Sequence, residues 1–227
     1  MRMDILSEES NFPLIPNHLN EITIESHSFF EKLVQSMNDT IHGLDESVRL
    51  WTDENEKIDL HKNATLIASP FDLTFSTNEF RKKLIQNLLP ELEYENFTYS
   101  INQGVLEGID LLIKVSLMSD YDIEFDSIIR AENFLKLLDV RLKEPEGPFR
   151  DKLCEYILQS RNLLGKEIWI LANCNAYLNK GDSELLEEFC NNEKICIINV
   201  CAGAEDDNLE YLPKDYIVDN DLCELYL

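Results

Sequence analysis

Glycine and proline are scarce, with 7 of each in 227 residues. That excludes a collagen-like, loop-dominated or low-complexity chain. The six cysteines (Cys154, Cys174, Cys190, Cys196, Cys201 and Cys223) form no C-x-x-C pair. The four histidines (His18, His27, His42 and His61) all lie in the first third of the chain, far from those thiols. A local Cys/His zinc cluster is therefore excluded. No apolar run approaches the roughly 20 residues of a membrane-spanning helix. The opening MRMDILSEESNF lacks the apolar core of a signal peptide. The expectation is a cytoplasmic protein with reduced, mostly buried thiols.

Two catalytic signatures are also missing. No Gly-rich loop follows an early strand, and the only Gly-Lys pair, Gly165–Lys166, precedes a strand rather than a helix. The apolar run EIWILANC would end in a magnesium-binding acid in an ATPase, but Asn173 holds that place. No GxSxG elbow occurs. The expectation is an α/β part without a nucleotide hydrolysis site.

Basic residues are few. Lys and Arg number 20 against 44 Asp and Glu, a net charge of −24. Taken alone, this opposes nucleic acid, whose phosphates need cations. Residues 130–166 are the exception, with 8 basic groups against 6 acidic. The basic groups there include Lys136, Arg141, Lys143, Arg150, Lys152 and Arg161. Arg150 and Arg161 are eleven residues apart, almost three helical turns, and so share a face.

What is abundant is acid in a pattern. DYDIEFD sets Asp120, Asp122, Glu124 and Asp126 at every second position. In an extended backbone all four point to one side. The row is not an EF-hand, because Phe125 stands where Gly is required and Ala131 where Glu is required. Carboxylates about 6.6–6.8 Å apart on a straight strand cannot wrap one calcium ion. A curled segment, or several ions with Glu132 as an added ligand, would answer the charge. A solvated acidic edge would answer it as well.

Periodicity gives the layout. EITIE, VRLWT, KIDLH and ATLIAS read as strands, with a helix after residue 27 capped by Ser28 and Glu31. Residues 77–89 form a helix ending at Pro90, and 99–118 an amphipathic one. Ser127–Leu138 follows as a helix capped by Asp126, then a helix from Pro148 to Leu164 closed by Gly165. Strand, short helix and strand over 166–200 imply a parallel βαβ unit, with YIV at 216–218 a last strand. The division is 1–74, a helical excursion over 75–145, and 146–227.

Four stretches carry a resemblance. They are FFEKLVQSM after EITIES, SPFDLTFSTNEFRKKL, DYDIEFDSIIRAENFLKLLDVRL, and LLGKEIWILANCNAYLNKGDSELLEEF with KICIINV. Together they resemble the short form of the type II-A CRISPR-associated protein family that works in spacer acquisition. Residues 1–19 match it poorly. The resemblance implies a P-loop-NTPase-like α/β head that lacks the phosphate-binding loop and carries an inserted helical leg. It implies homotetrameric rings that bind the ends of double-stranded DNA without sequence preference, supported by calcium (Ca2+) at Asp120, Asp122, Glu124, Asp126 and Glu132. Lys136, Arg141 and Lys143 match basic positions of that family, while Arg150, Lys152 and Arg161 come from the charge map alone. The implied partners are the CRISPR integrase subunits and the effector nuclease, in antiviral defence and without catalytic activity. Two alternatives stay open: an acidic protein-binding scaffold or nucleic-acid mimic, and a metal-dependent nuclease.

Overall fold

The computed structural model describes residues 1–5, 10–94, 97–118, 129–203, 216–219 and 224–226. The chain divides into two compact units, residues 1–74 with 145–227, and residues 75–144.

The first unit is α/β. Its strands are β1 (Arg2–Ile5), β2 (Ser10–Pro13), β3 (Leu19–Ile24), β4 (Val48–Trp51), β5 (Lys57–Ile58), β6 (Ala64–Ile67), β7 (Ile168–Ala172), β8 (Cys196–Ala202), β9 (Tyr216–Val218) and β10 (Glu224–Tyr226). Strands β2-β1-β4-β5 form an antiparallel sheet. The second sheet has the order β10-β9-β3-β8-β7-β6 and is parallel except at β10. Its central strands are apolar on both faces, as IWILA shows with every residue buried, because helices cover both sides.

Helix α1 (His27–Ile41) lays Phe29, Leu33 and Met37 into the core shared by the two sheets, against Ile22, Ile24, Ile198 and Val200. On the other face lie α6 (Phe149–Gln159) and α7 (Lys180–Glu193). There Trp169 is fully buried, and its indole N–H donates to Ser160 Oγ at 2.9 Å. Ser160 begins a π-helical turn, Ser160–Leu164, which Gly165 closes at φ 69° as the sequence anticipates. Asn20 is the main polar group of the core. Its side chain accepts from Ile15 N at 2.6 Å and donates toward the carbonyls of Ile15 and His18, tying the entry of β3 to the preceding turn.

Several sequence expectations shift for local reasons. Helix α1 is capped by Ser26, which accepts from Phe29 N, so the Ser28–Glu31 box does not form. KIDLH is strand only at β5. Asp59 then caps Lys62 N and opens the short helix α2 (Leu60–Asn63). The short helix expected between β7 and β8 is the 14-residue α7, which starts at Lys180 because Asn179 and Asp182 form a capping box.

The second unit holds α3 (Asn78–Tyr94), α4 (Phe97–Met118) and α5 (Ala131–Leu137). Pro90 lies inside α3 instead of ending it. The carbonyl it orphans belongs to Gln86, which is exposed, so solvent can take the lost bond. Helix α5 begins later than expected, because Ile129 N donates to Asn102 Oδ1 of α4 at 3.1 Å and is drawn out of helical pairing.

Candidate functional site

In an open parallel sheet, ligands bind outside the carboxyl ends of the strands, where successive connections leave in opposite directions. Here that place is the β3–β8 boundary, since β3 leads out to β6 on one side and β8 leads out to β9 on the other. The edge is closed. Only Glu25 and Ser26 separate β3 from α1, and Ser26 spends its hydroxyl on the helix cap. Gly203 N donates to Ile24 O at 2.7 Å. A Cβ at Gly203 would meet Glu25 Cα at 3.3 Å, so the two strand ends touch through backbone. At the end of β7, Asn173 adopts φ 56° and donates its N–H to Val200 O at 2.8 Å. Asn199 donates to Asn175 Oδ1 at 2.8 Å, and the Cys201 thiol donates to Asn199.

The basic residues are shared between the two units. Lys136, Arg141 and Lys143 belong to the helical unit, and Arg150, Lys152 and Arg161 to the α/β unit. Lys136 is held by Glu132 at 2.6 Å, one turn away on α5. Arg141 lies 3.8 Å from Asp139, which also takes Arg81 at 2.9 Å. Arg150 binds Asp151 at 2.5 Å and Asp182 at 3.2 Å, in the first turn of α7. Arg161 donates to Glu193 O at 2.7 Å, at the last turn of α7. The two arginines do share a face, and that face braces α6 and its π turn against both ends of α7. Arg150 is ion-paired within the unit, and Arg161 is held by a carbonyl at the end of α7.

Of the acidic set, Asp120, Asp122, Glu124 and Asp126 lie outside the described residues. Glu132 is described. Its hydrogen bond to Lys136, with the charge of that group, holds its carboxyl below the usual range. Among the described residues no group of three His, Cys, Asp or Glu could hold a metal ion.

Five described cysteines are free thiols. Burial pushes Cys154, Cys174 and Cys196 up to about 11 and Cys201 up to about 12, with Cys190 raised further. A thiol harder to ionise in the fold than in the unfolded chain costs nothing below the unfolded value of about 9. Above it, the unfolded chain gains by ionising and the fold does not. The urea midpoint is therefore expected to fall from pH 9 to 11, and to fall less when Cys201 and Cys196 are both Ala. An unchanged slope in that variant would show that the thiols do not drive the loss.

The feature the sequence reading missed is the second half of α4. Its amphipathic reading fails there. Leu106, Leu111, Leu112, Ile113, Val115, Leu117 and Met118 are all exposed, Leu117 at 82% and Met118 at 89%. Asp110 and Lys114 are the only charges between Gly108 and Met118. A helix end that is apolar all round belongs inside something. The signal was present in LLIKVSLM, whose six apolar residues in eight leave no polar face. Among the described residues no helix is long and apolar enough to cross a membrane.

No family model and no curated protein matches this chain. Solved structures similar to it are ATP-binding cassettes. One is cbiO1 from Clostridium perfringens, part of the ABC transporter complex cbiONQ: 14% identity, 96% of this chain, 83% of that one, TM-score 0.44. Another is a nucleotide-free ATP-binding cassette of an ABC transporter: 13% identity, 96% and 86% covered, TM-score 0.43. A third is the ADP conformation of the cassette MJ1267: 12% identity, 96% and 85% covered, TM-score 0.41. These likenesses are distant and bring no activity to this chain. The α/β architecture expected from sequence is present, with a mostly parallel sheet.

The spacer-acquisition reading is corrected. No comparison returns that family, and the similar structures are cassettes. With it fall the calcium-dependent, ring-forming binding of DNA ends, the homotetramer, and the integrase and effector-nuclease partners. The alternatives of an acidic scaffold or mimic and of a nuclease fall too, as does the expectation, implied by that family, that the chain is not an enzyme. The physical reason is visible in the cations. The net-positive stretch 130–166 is divided between two units, and Lys136, Arg141 and Arg150 are each paired with a carboxylate.

Proposed function

We propose that this chain is a building block of a larger protein assembly, docked through the second half of α4. The observation that carries this is the exposure of seven large apolar residues over 106–118. Surfaces of that extent mark interaction sites. Burying such side chains stabilises by about 1.5–3 kcal/mol each, which is ample drive for association even after its entropic cost. The test is whether the face tolerates charge. In protein dilute enough to leave the parent unassociated, Glu at both Leu111 and Val115 is expected to leave the circular-dichroism spectrum unchanged and the melting temperature within about 3 °C of the parent, since surface changes rarely exceed about 0.5 kcal/mol. Loss of helical signal would mean that these side chains are interior to the helical unit, and the reading would fail.

We further propose that the α/β unit lacks a phosphate-cradling loop. A P-loop needs eight residues, G-x-x-x-x-G-K-[ST], between strand and helix. Two connect β3 to α1, and one of them, Glu25, is an anion where phosphates would lie. Titration calorimetry with magnesium and ATP is expected to show no binding tighter than about 1 mM. A low-micromolar Kd would overturn this.

A further inference from the structure

We infer that the occupant of the α4 face is α4 of a second copy of this chain, running antiparallel about a twofold axis near residue 112. This deepens the docking reading above and rests on it.

The order of side chains is self-complementary. Asp110 and Lys114 are four apart and lie on one face of the helix. Reverse a copy about residue 112, and Asp110 of each helix comes opposite Lys114 of the other. The same operation brings Leu111 of one helix level with Ile113 of its mate. A twofold contact requires this property, that a surface be complementary to itself. Parallel pairing would instead set Asp110 against Asp110 and Lys114 against Lys114, and like charges at contact repel.

Charge across the whole chain favours the same place. At −24, two copies repel over most of their surfaces. From Gly108 to Met118 the helix carries one acid and one base, so its net charge is zero. This is a surface on which two such anionic chains can approach. Its described neighbours leave it open: α3 and α5 pack on α4, yet Leu111, Leu112, Ile113, Val115, Leu117 and Met118 keep 43–89% of their surface.

The test is a charge swap, read by sedimentation equilibrium. The unmodified chain is expected to dimerise. Asp110→Lys alone, or Lys114→Asp alone, should weaken the dimer at least about tenfold, each by creating two like-charge contacts across the axis. Asp110→Lys combined with Lys114→Asp should restore it to within about threefold of the parent. Restoration would not follow from a different partner, whose own charges the swap leaves unchanged. A dimer indifferent to both single reversals would overturn the antiparallel register. A chain that stays monomeric while Leu111 and Val115 still accept Glu without loss of fold would overturn the second copy as occupant and leave the docking face standing. Loss of fold on those two substitutions would sink both readings.

Discussion

Glu at Leu111 and Val115 is expected to abolish self-association, raising the dimer dissociation constant at least a hundredfold. The two side chains are 63% and 50% exposed in the single chain and lie four residues apart on one face of α4. Both lie within about one helical turn of the axis near residue 112, so two substitutions per chain place four carboxylates in one apolar contact. Removing the apolar contacts alone would cost a few kcal/mol. Burying unpaired carboxylates adds a penalty that the pair escapes only by separating. Sedimentation velocity on a dilution series reads this directly. A parent and variant with equal boundary shapes at every concentration would show that α4 plays no part.

The largest loss of stability is expected at Trp169. The indole is fully buried in the layer between the parallel sheet and α6, and its N–H donates to Ser160 Oγ. Ser160 is itself buried, and its hydroxyl donates in turn to Ile157 O at 3.0 Å. Trp169→Ala therefore opens a cavity and removes one member of a polar relay that also fixes the π turn. The expected cost is about 3–5 kcal/mol, from lost burial and incomplete collapse of the cavity. Ser160→Ala keeps the ring but leaves its N–H without an acceptor, at about 1–3 kcal/mol. Urea unfolding separates the two. If Trp169→Ala costs less than Ser160→Ala, the ring is not the keystone of this layer.

The sequence made the α/β layer readable because burial on both faces leaves an unbroken apolar signature. IWILA and CIINV needed no neighbour to be recognised as central strands, and Gly165 marked its own left-handed turn. Boundaries were less legible, because they depend on partners distant in sequence. Asn102 on α4 sets where α5 can begin, through one bond to Ile129. Pro90 reads as a stop, yet it orphans only the carbonyl of an exposed residue.

The site was the least legible part. The cations of 130–166 looked like a continuous positive stretch, but a charge map carries no pairing. Asp182 and the Glu193 carbonyl, each 32 positions along the chain, take up Arg150 and Arg161. The apolar half of α4 was hidden by the opposite error. Residues 99–118 read as an amphipathic helix, and only the structure shows that nothing described covers the apolar end.

Amide hydrogen exchange over residues 106–118, in dilute and in concentrated protein, tests the docking of α4 most directly. Exchange is expected to be rapid when dilute and at least tenfold slower when concentrated, with α1 unchanged. Rapid exchange at both concentrations, in a chain whose mass stays at 26.4 kDa throughout, would contradict it.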